Sequence, residues 1–131
     1  MVLNLMITIP VKTVMVDLGL EEMPKPVEEI SVTLTTYTAS VRETDSTPLV
    51  TASGFKLSRK NQKKHRVVAV SRDLKKKYKF GEKIRVKGAG KLDGVYVVHD
   101  LMNKRYKKRI DILINKKDKQ VKYKNIKISK L

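Results

Sequence analysis

Apolar and polar side chains alternate along most of this chain in short runs, with the two-residue period of half-buried strands. In residues 30–40, Val32, Leu34, Thr36 and Thr38 fall on one side, and Ser31, Thr33, Thr35 and Tyr37 on the other. HRVVAVS (65–71) is a compact apolar run suited to an interior strand. EKIRVKGAG (82–90) alternates Ile84 and Val86 with charged neighbours, then turns at Gly88 and Gly90. VYVVHD (95–100), RIDILIN (109–115) and VKYKNIKISKL (121–131) complete six strand candidates. One helix is predicted in SRDLKKKYKF (71–80), with Ser71 or Asp73 as N-cap and Gly81 as its stop. Six short strands and one brief helix predict a mostly β chain folded as a closed or nearly closed barrel.

Ahead of these runs lies a different region. Residues 5–17 partly alternate and are rich in β-branched side chains (Ile7, Thr8, Ile9, Val11, Thr13, Val14, Val16), which reads as an extended arm. LGLEEMPKPVEE (18–29), with two prolines and four acids, reads as a linker. The expected division is an arm and linker over 1–29 and a barrel domain over 30–131. Such an arm packs either on its own barrel or on a neighbouring subunit.

Charge sharpens the division. Residues 1–54 hold three basic and seven acidic side chains (−4), and residues 55–131 hold 27 and six (+21), which together give the net +17 of the 131-residue chain. A basic half of this kind fits a polyanionic partner: nucleic acid, an anionic cell wall, an acidic membrane face or an acidic protein surface. A merely solvated, lysine-rich surface is the plainer alternative. With five Tyr, two Phe and more lysine than arginine, base stacking and bidentate base reading are poorly provided for, so any nucleic-acid binding would be phosphate attraction without sequence choice. There is no cysteine, which excludes disulfides and thiolate chemistry, and His65 and His99 alone are too few for a histidine metal centre. No metal or cofactor is expected. The N-terminal twenty residues lack a basic leader and a small-residue cleavage site, and Asn4, Pro10, Lys12 and Asp17 break them too often for a membrane span.

No phosphate-binding loop, GxSxG or HExxH pattern occurs, and GAGKLDG (88–94) reads as a turn between strands. Three carboxylates at strand ends are the better candidates. Asp73 follows VAVSR, Asp100 ends YVVHD, and Asp111 sits among Ile110, Ile112, Leu113 and Ile114. A carboxylate in that company either faces solvent from an alternating strand or is held by hydrogen bonds in a site.

YTAS (37–40), TASG (51–54), VAVSRD (68–73), Phe80-Gly81, His99-Asp100 and RID (109–111) together resemble the three-aspartate (3D) domain family. The family's barrel is also the catalytic part of lytic transglycosylase A. The resemblance spans Thr36 to Ile114, and Asp100 to Asp111 keeps the family's spacing of its last two aspartates. Residues 100–107, DLMNKRYK, replace the glycine-rich segment of the enzymes, and VSRDL with D-x-MNKR is similar to a divergent branch that includes phage proteins. The resemblance implies a six-stranded double-psi β-barrel directed at peptidoglycan. It implies a catalytic Asp100 that acts as acid and then base, supported by Asp111 and Asp73. Thr36, Thr51, Ser53 and Arg109 would then contact a glycan strand. Lys104, Arg105, Lys107, Lys108 and Arg109, close to Asp100 in sequence, favour instead a salt-bridged structural aspartate. A wall-directed domain without its own export signal fits delivery in a virion. The alternative is a non-catalytic barrel serving as a phage tail or capsid component, with residues 1–29 binding neighbouring subunits; non-specific nucleic-acid binding is the second alternative.

Overall fold

The computed structural model describes residues 28–39 and 49–131. The expected arm therefore lies outside the described residues, apart from its last two, Glu28 and Glu29. Among the described residues six strands form: β1 (Glu29–Thr38), β2 (Val67–Val70), β3 (Lys83–Lys87), β4 (Gly94–Leu101), β5 (Arg109–Ile114) and β6 (Lys122–Lys130). They close into a barrel in the order β1-β5-β2-β4-β3-β6. The β1/β5 and β2/β4 pairs are parallel and the other four are antiparallel. This is the mostly β, closed six-stranded barrel expected, and its mixed strand order is compatible with a double-psi barrel. Among the described residues no helix is long and apolar enough to cross a membrane.

Closure follows from the alternation. Leu34, Val68, Val70, Ile84, Val98, Ile110, Ile112, Ile126 and Ile128 point inward and are almost fully buried. Each such side chain contributes about 1.5–3 kcal/mol on leaving water. Their branched shapes suit both the strand backbone and the narrow interior of a small barrel.

The outer surface is not uniform. Over β1, β5, β2 and β4 lies a second apolar cluster, built from Tyr37, Val67, Ala69, Met102 and Leu113, with Phe55, Leu57 and Tyr106 packed against it. Phe55 and Leu57 belong to the β1–β2 connection, so part of that connection covers this side of the barrel. On β3 and β6, by contrast, Lys83, Arg85, Lys87 and Lys127 are exposed.

The helix is shorter than its sequence suggests. It covers Arg72–Lys75, one turn, with Ser71 in extended conformation before it. Leu74 and Tyr78 bury the one apolar stripe available, and the amide of Tyr78 bonds the Leu74 carbonyl at 2.8 Å. Lys75, Lys76 and Lys77 add nothing to bury, so the helix stops short of Gly81. That glycine, at φ +89°, serves the turn into β3.

Candidate functional site

Strand register brings two of the three aspartates into one line. Ala69 on β2 pairs with Asp100 on one side and with Asp111 on the other; Asp111 pairs in turn with Thr35 of β1, and Thr35 with Lys122 of β6. The row Asp100, Ala69, Asp111, Thr35, Lys122 thus crosses five strands of the outer face. With neighbouring strands about 4.8 Å apart, the two aspartate backbones stand about 10 Å apart. The side chain between them is the Ala69 methyl.

A bulge aims Asp100 outward. Val68 pairs with Val98, but Ala69 pairs with Asp100, so His99 is an extra residue in β4. Bulges of this kind redirect side chains. Here the bulge lets His99 and Asp100 both meet the covering connection. In that connection Thr51 to Phe55 form a tight turn: the Thr51 amide bonds the Phe55 carbonyl at 2.9 Å, and the Gly54 amide bonds the Thr51 carbonyl at 2.9 Å. Gly54 sits at φ +89°, where a side chain would be strained. The turn docks on β4 through the Ser53 amide, which donates to the His99 carbonyl at 3.0 Å.

Three donors hold the Asp100 carboxylate. Oδ1 accepts from the amides of Ala52 (3.0 Å) and Leu101 (3.1 Å), and Oδ2 accepts from the Tyr37 hydroxyl at 2.9 Å. Tyr37 stands on β1 opposite Leu113, so its ring reaches across β5 and β2 to arrive at β4. Beside Asp100 the Thr51 and Ser53 hydroxyls lie 3.0 Å apart, and Ser53 Oγ lies 2.9 Å from His99 Nδ1. The His99 ring stacks on Phe55, with centroids 4.4 Å apart. Burial pushes the His99 pKa down, against the opposing pull of the Asp100 charge.

The remaining candidates are spread around this row. Asp111 Oδ1 accepts from the Thr35 hydroxyl at 3.0 Å. Arg109, two residues along the same strand, lies with its guanidinium 4.5 Å from the centre of the Tyr106 ring, where Arg105 also stacks at 4.8 Å. Asp73 is at the end of the barrel where β5 begins. Its carboxylate accepts from the Lys108 amide at 3.0 Å. Partial burial pushes its pKa up, but the Ser71 hydroxyl and the amides of Lys108, Asp73 and Leu74 outweigh that and hold it below the usual value. Thr36 points into the barrel, is 6% exposed and accepts from the Val121 amide at 3.1 Å. The structure therefore gathers Asp100, Thr51 and Ser53, aligns Asp111 with them across Ala69, and leaves Asp73 and Thr36 elsewhere. No ion pair reaches Asp100 from the described residues, although five cations follow it closely in sequence. Among the described residues no three His, Asp or Glu side chains converge as a metal site.

Tyr37, Thr35, His99 and Phe55 complete the arrangement, and reasoning from carboxylates alone passes over them. The alternation of β1 already carried part of the signal, since it sets Thr35 and Tyr37 on the side opposite Leu34 and Thr36. The bulge at His99 left no such trace. A cleft of about 610 Å3 lies away from this row, at the other end of β5, next to Asn115, Lys116 and Lys117.

A scan of the chain against protein-family models finds no match, and a search of curated proteins finds none either. The likeness to the three-aspartate family rests on the residues quoted above and on a barrel of compatible form.

Proposed function

We propose that this barrel is a peptidoglycan-directed domain of the three-aspartate, double-psi type, which cleaves the bond between N-acetylmuramic acid and N-acetylglucosamine with Asp100 as acid and base. The observation that carries the reading is the outer row in which Asp100 and Asp111 stand on either side of the buried Ala69, with the Thr51 and Ser53 hydroxyls beside Asp100. Ala69 lies under the outer apolar cluster, so a sugar ring would lie along the partly exposed edge at Asp100 and Ser53.

In the proposed reaction Asp100 starts protonated and gives its proton to the glycosidic oxygen as the bond from that oxygen to C1 breaks. The C6 hydroxyl of the same sugar then attacks C1, and the Asp100 carboxylate takes the hydroxyl proton as the 1,6-anhydro ring closes. The proton is returned and no water is consumed, so one carboxyl group is enough, unlike the paired groups of ordinary glycosidases. Tyr37 and the Ala52 and Leu101 amides fix the orientation of the carboxyl group. Asp111, steadied by Thr35, would support the site from across the buried Ala69, and Arg109 would meet the anionic groups of the strand. Carriage in a virion would bring such a domain to the wall.

The three donors on Asp100 favour a second reading. They make its carboxylate a staple between β1, β4 and the covering turn, which is a complete structural role. In that case the barrel is a non-catalytic virion component, and residues 1–29 make its subunit contacts.

Incubation of the purified protein with peptidoglycan sacculi, followed by mass spectrometry of the soluble products, separates the two. The enzyme reading expects products bearing 1,6-anhydro-muramic acid, and expects Asp100→Asn to abolish them. Absence of products from about pH 4 to about pH 8 leaves the structural reading.

A further inference from the structure

The cleft at the Ile114 end of β5 has a chemistry of its own and shares no residue with the Asp100 row. Arg59 and Lys60 line it from the covering connection, and Lys116 and Lys117 line it from the turn between β5 and β6. That turn is tight: the Asn115 amide donates to Asp118 Oδ2 at 3.0 Å, and the Asp118 amide to the Asn115 carbonyl at 3.0 Å. Lys116 and Lys117 take its two central positions and are exposed.

The frame beneath these cations is fixed by hydrogen bonds. Asn115 Nδ2 donates to Asn61 Oδ1 at 3.0 Å, and Asn115 Oδ1 accepts from the Lys63 amide at 3.0 Å, which ties the turn to the connection. The buried Gln62 carboxamide donates to the carbonyls of Ser58 (2.7 Å) and Arg59 (2.8 Å). None of the four cations is ion-paired within the described residues; the pair beside them, Lys63 with Asp118, leaves them untouched. Among the described residues no acidic and no aromatic side chain lines the cleft.

Among the described residues these four cations have no ion pair, and cations around a concave space focus a positive potential on whatever enters. Phosphates are well matched to arginine and lysine together, and the Asn61 carboxamide, which gives only its oxygen to the frame, can donate to a hydroxyl group. The lack of an aromatic ring among the described lining residues matters as much, because single-stranded nucleic acids are held by stacking their bases on such rings. We propose that this cleft binds the phosphate groups of a polymer that carries hydroxyls but no bases, such as a polyol-phosphate chain. Such a site needs no contribution from Asp100 and does not depend on the glycan-cleaving reading.

The test measures binding of the full chain to a fluorescent poly(glycerol phosphate) oligomer across a salt series, with oligo(dT) of equal charge as comparator. The variant Lys60→Gln/Lys116→Gln/Lys117→Gln should raise Kd about tenfold or more and lower the salt slope by about three, one for each phosphate contact removed. Lys83→Gln/Lys87→Gln/Lys127→Gln removes as many charges from the exposed face of β3 and β6, and should change Kd less than about threefold. Asp100→Asn should bind as the parent does, so failure here leaves the glycan reading standing. Equal weakening by the two triple variants would show diffuse attraction and overturn the proposal. So would tighter binding of oligo(dT), or no binding of the polyol phosphate at low salt. Unchanged melting of the variants checks that each is folded.

Discussion

Replacing Asp100 separates its structural role from any chemistry, provided that two substitutions are compared. Asp100→Ala leaves the Tyr37 hydroxyl and the amides of Ala52 and Leu101 without their acceptor. Each lost bond at a half-exposed site costs about 1 kcal/mol, so the expected loss is about 3 kcal/mol. Asp100→Asn behaves differently. Both amides bond the same oxygen, Oδ1, which the carboxamide keeps, and the Tyr37 hydroxyl can rotate to accept from the new NH2 group. Only the charge assistance goes, at a cost of about 1 kcal/mol. Urea unfolding with an unchanged m-value would measure both. A double-mutant cycle of Asp100→Ala with Tyr37→Phe should show the two losses to be non-additive, because the substitutions delete one shared bond. If Asp100→Asn destabilises as much as Asp100→Ala, or if Asp100→Ala costs nothing measurable, the staple geometry is wrong. A well-folded Asp100→Asn protein is also the control that makes loss of glycan cleavage interpretable.

Other perturbations follow from the fold. Ile112→Ala empties a site that is 1% exposed inside the barrel, and should cost about 3–4 kcal/mol in chemical denaturation. Gly54→Ala meets no atom within 4 Å but must adopt φ +89°, so its cost is backbone strain alone, about 1–2 kcal/mol, read as a lower urea midpoint. His99 has a folded pKa below its ordinary 6.5, so the unfolded chain binds the proton first as pH falls. The stability this gives is complete above pH 6.5 and is lost as pH falls from there through the folded pKa. His99→Gln should flatten that stretch of the stability profile; an unchanged profile would refute the assignment.

The strands were readable because a small closed barrel gives each of them one dry side, and Val32, Leu34, Ile84, Val86, Ile110 and Ile112 mark that side with a period of two. The covering connection was not readable. Phe55 and Leu57 are isolated apolar residues in a run without periodicity, and what they cover is decided by strand order, a property of pairing rather than of any one segment. The same limit applies to the site. Alternation places Asp111 on the outside, but its alignment with Asp100 through Ala69 depends on two registers and on the extra residue His99. Thr36 and Thr35 show how narrow the margin is. One residue decides whether a hydroxyl meets the Val121 amide inside the barrel or Asp111 on its surface, and the resemblance-based choice fell on Thr36. The helix expected to reach Gly81 ends at Lys75 because three successive lysines give it nothing to pack.

The order of strands in the barrel bears on how the chain is made. β1 has as its two neighbours β5 and β6, the last strands in sequence, and the β1–β6 register runs from Glu29 with Ser129 to Thr35 with Lys122. During synthesis β1 leaves the ribosome without either of its barrel neighbours and stays so until β5 and β6 have followed. Contacts so distant in sequence are slow to form. Until then the nascent chain carries an unmated hydrophobic strand, and β1, whose apolar side chains Val32 and Leu34 end up sealed in the core, is the segment on which a chaperone would be expected to act.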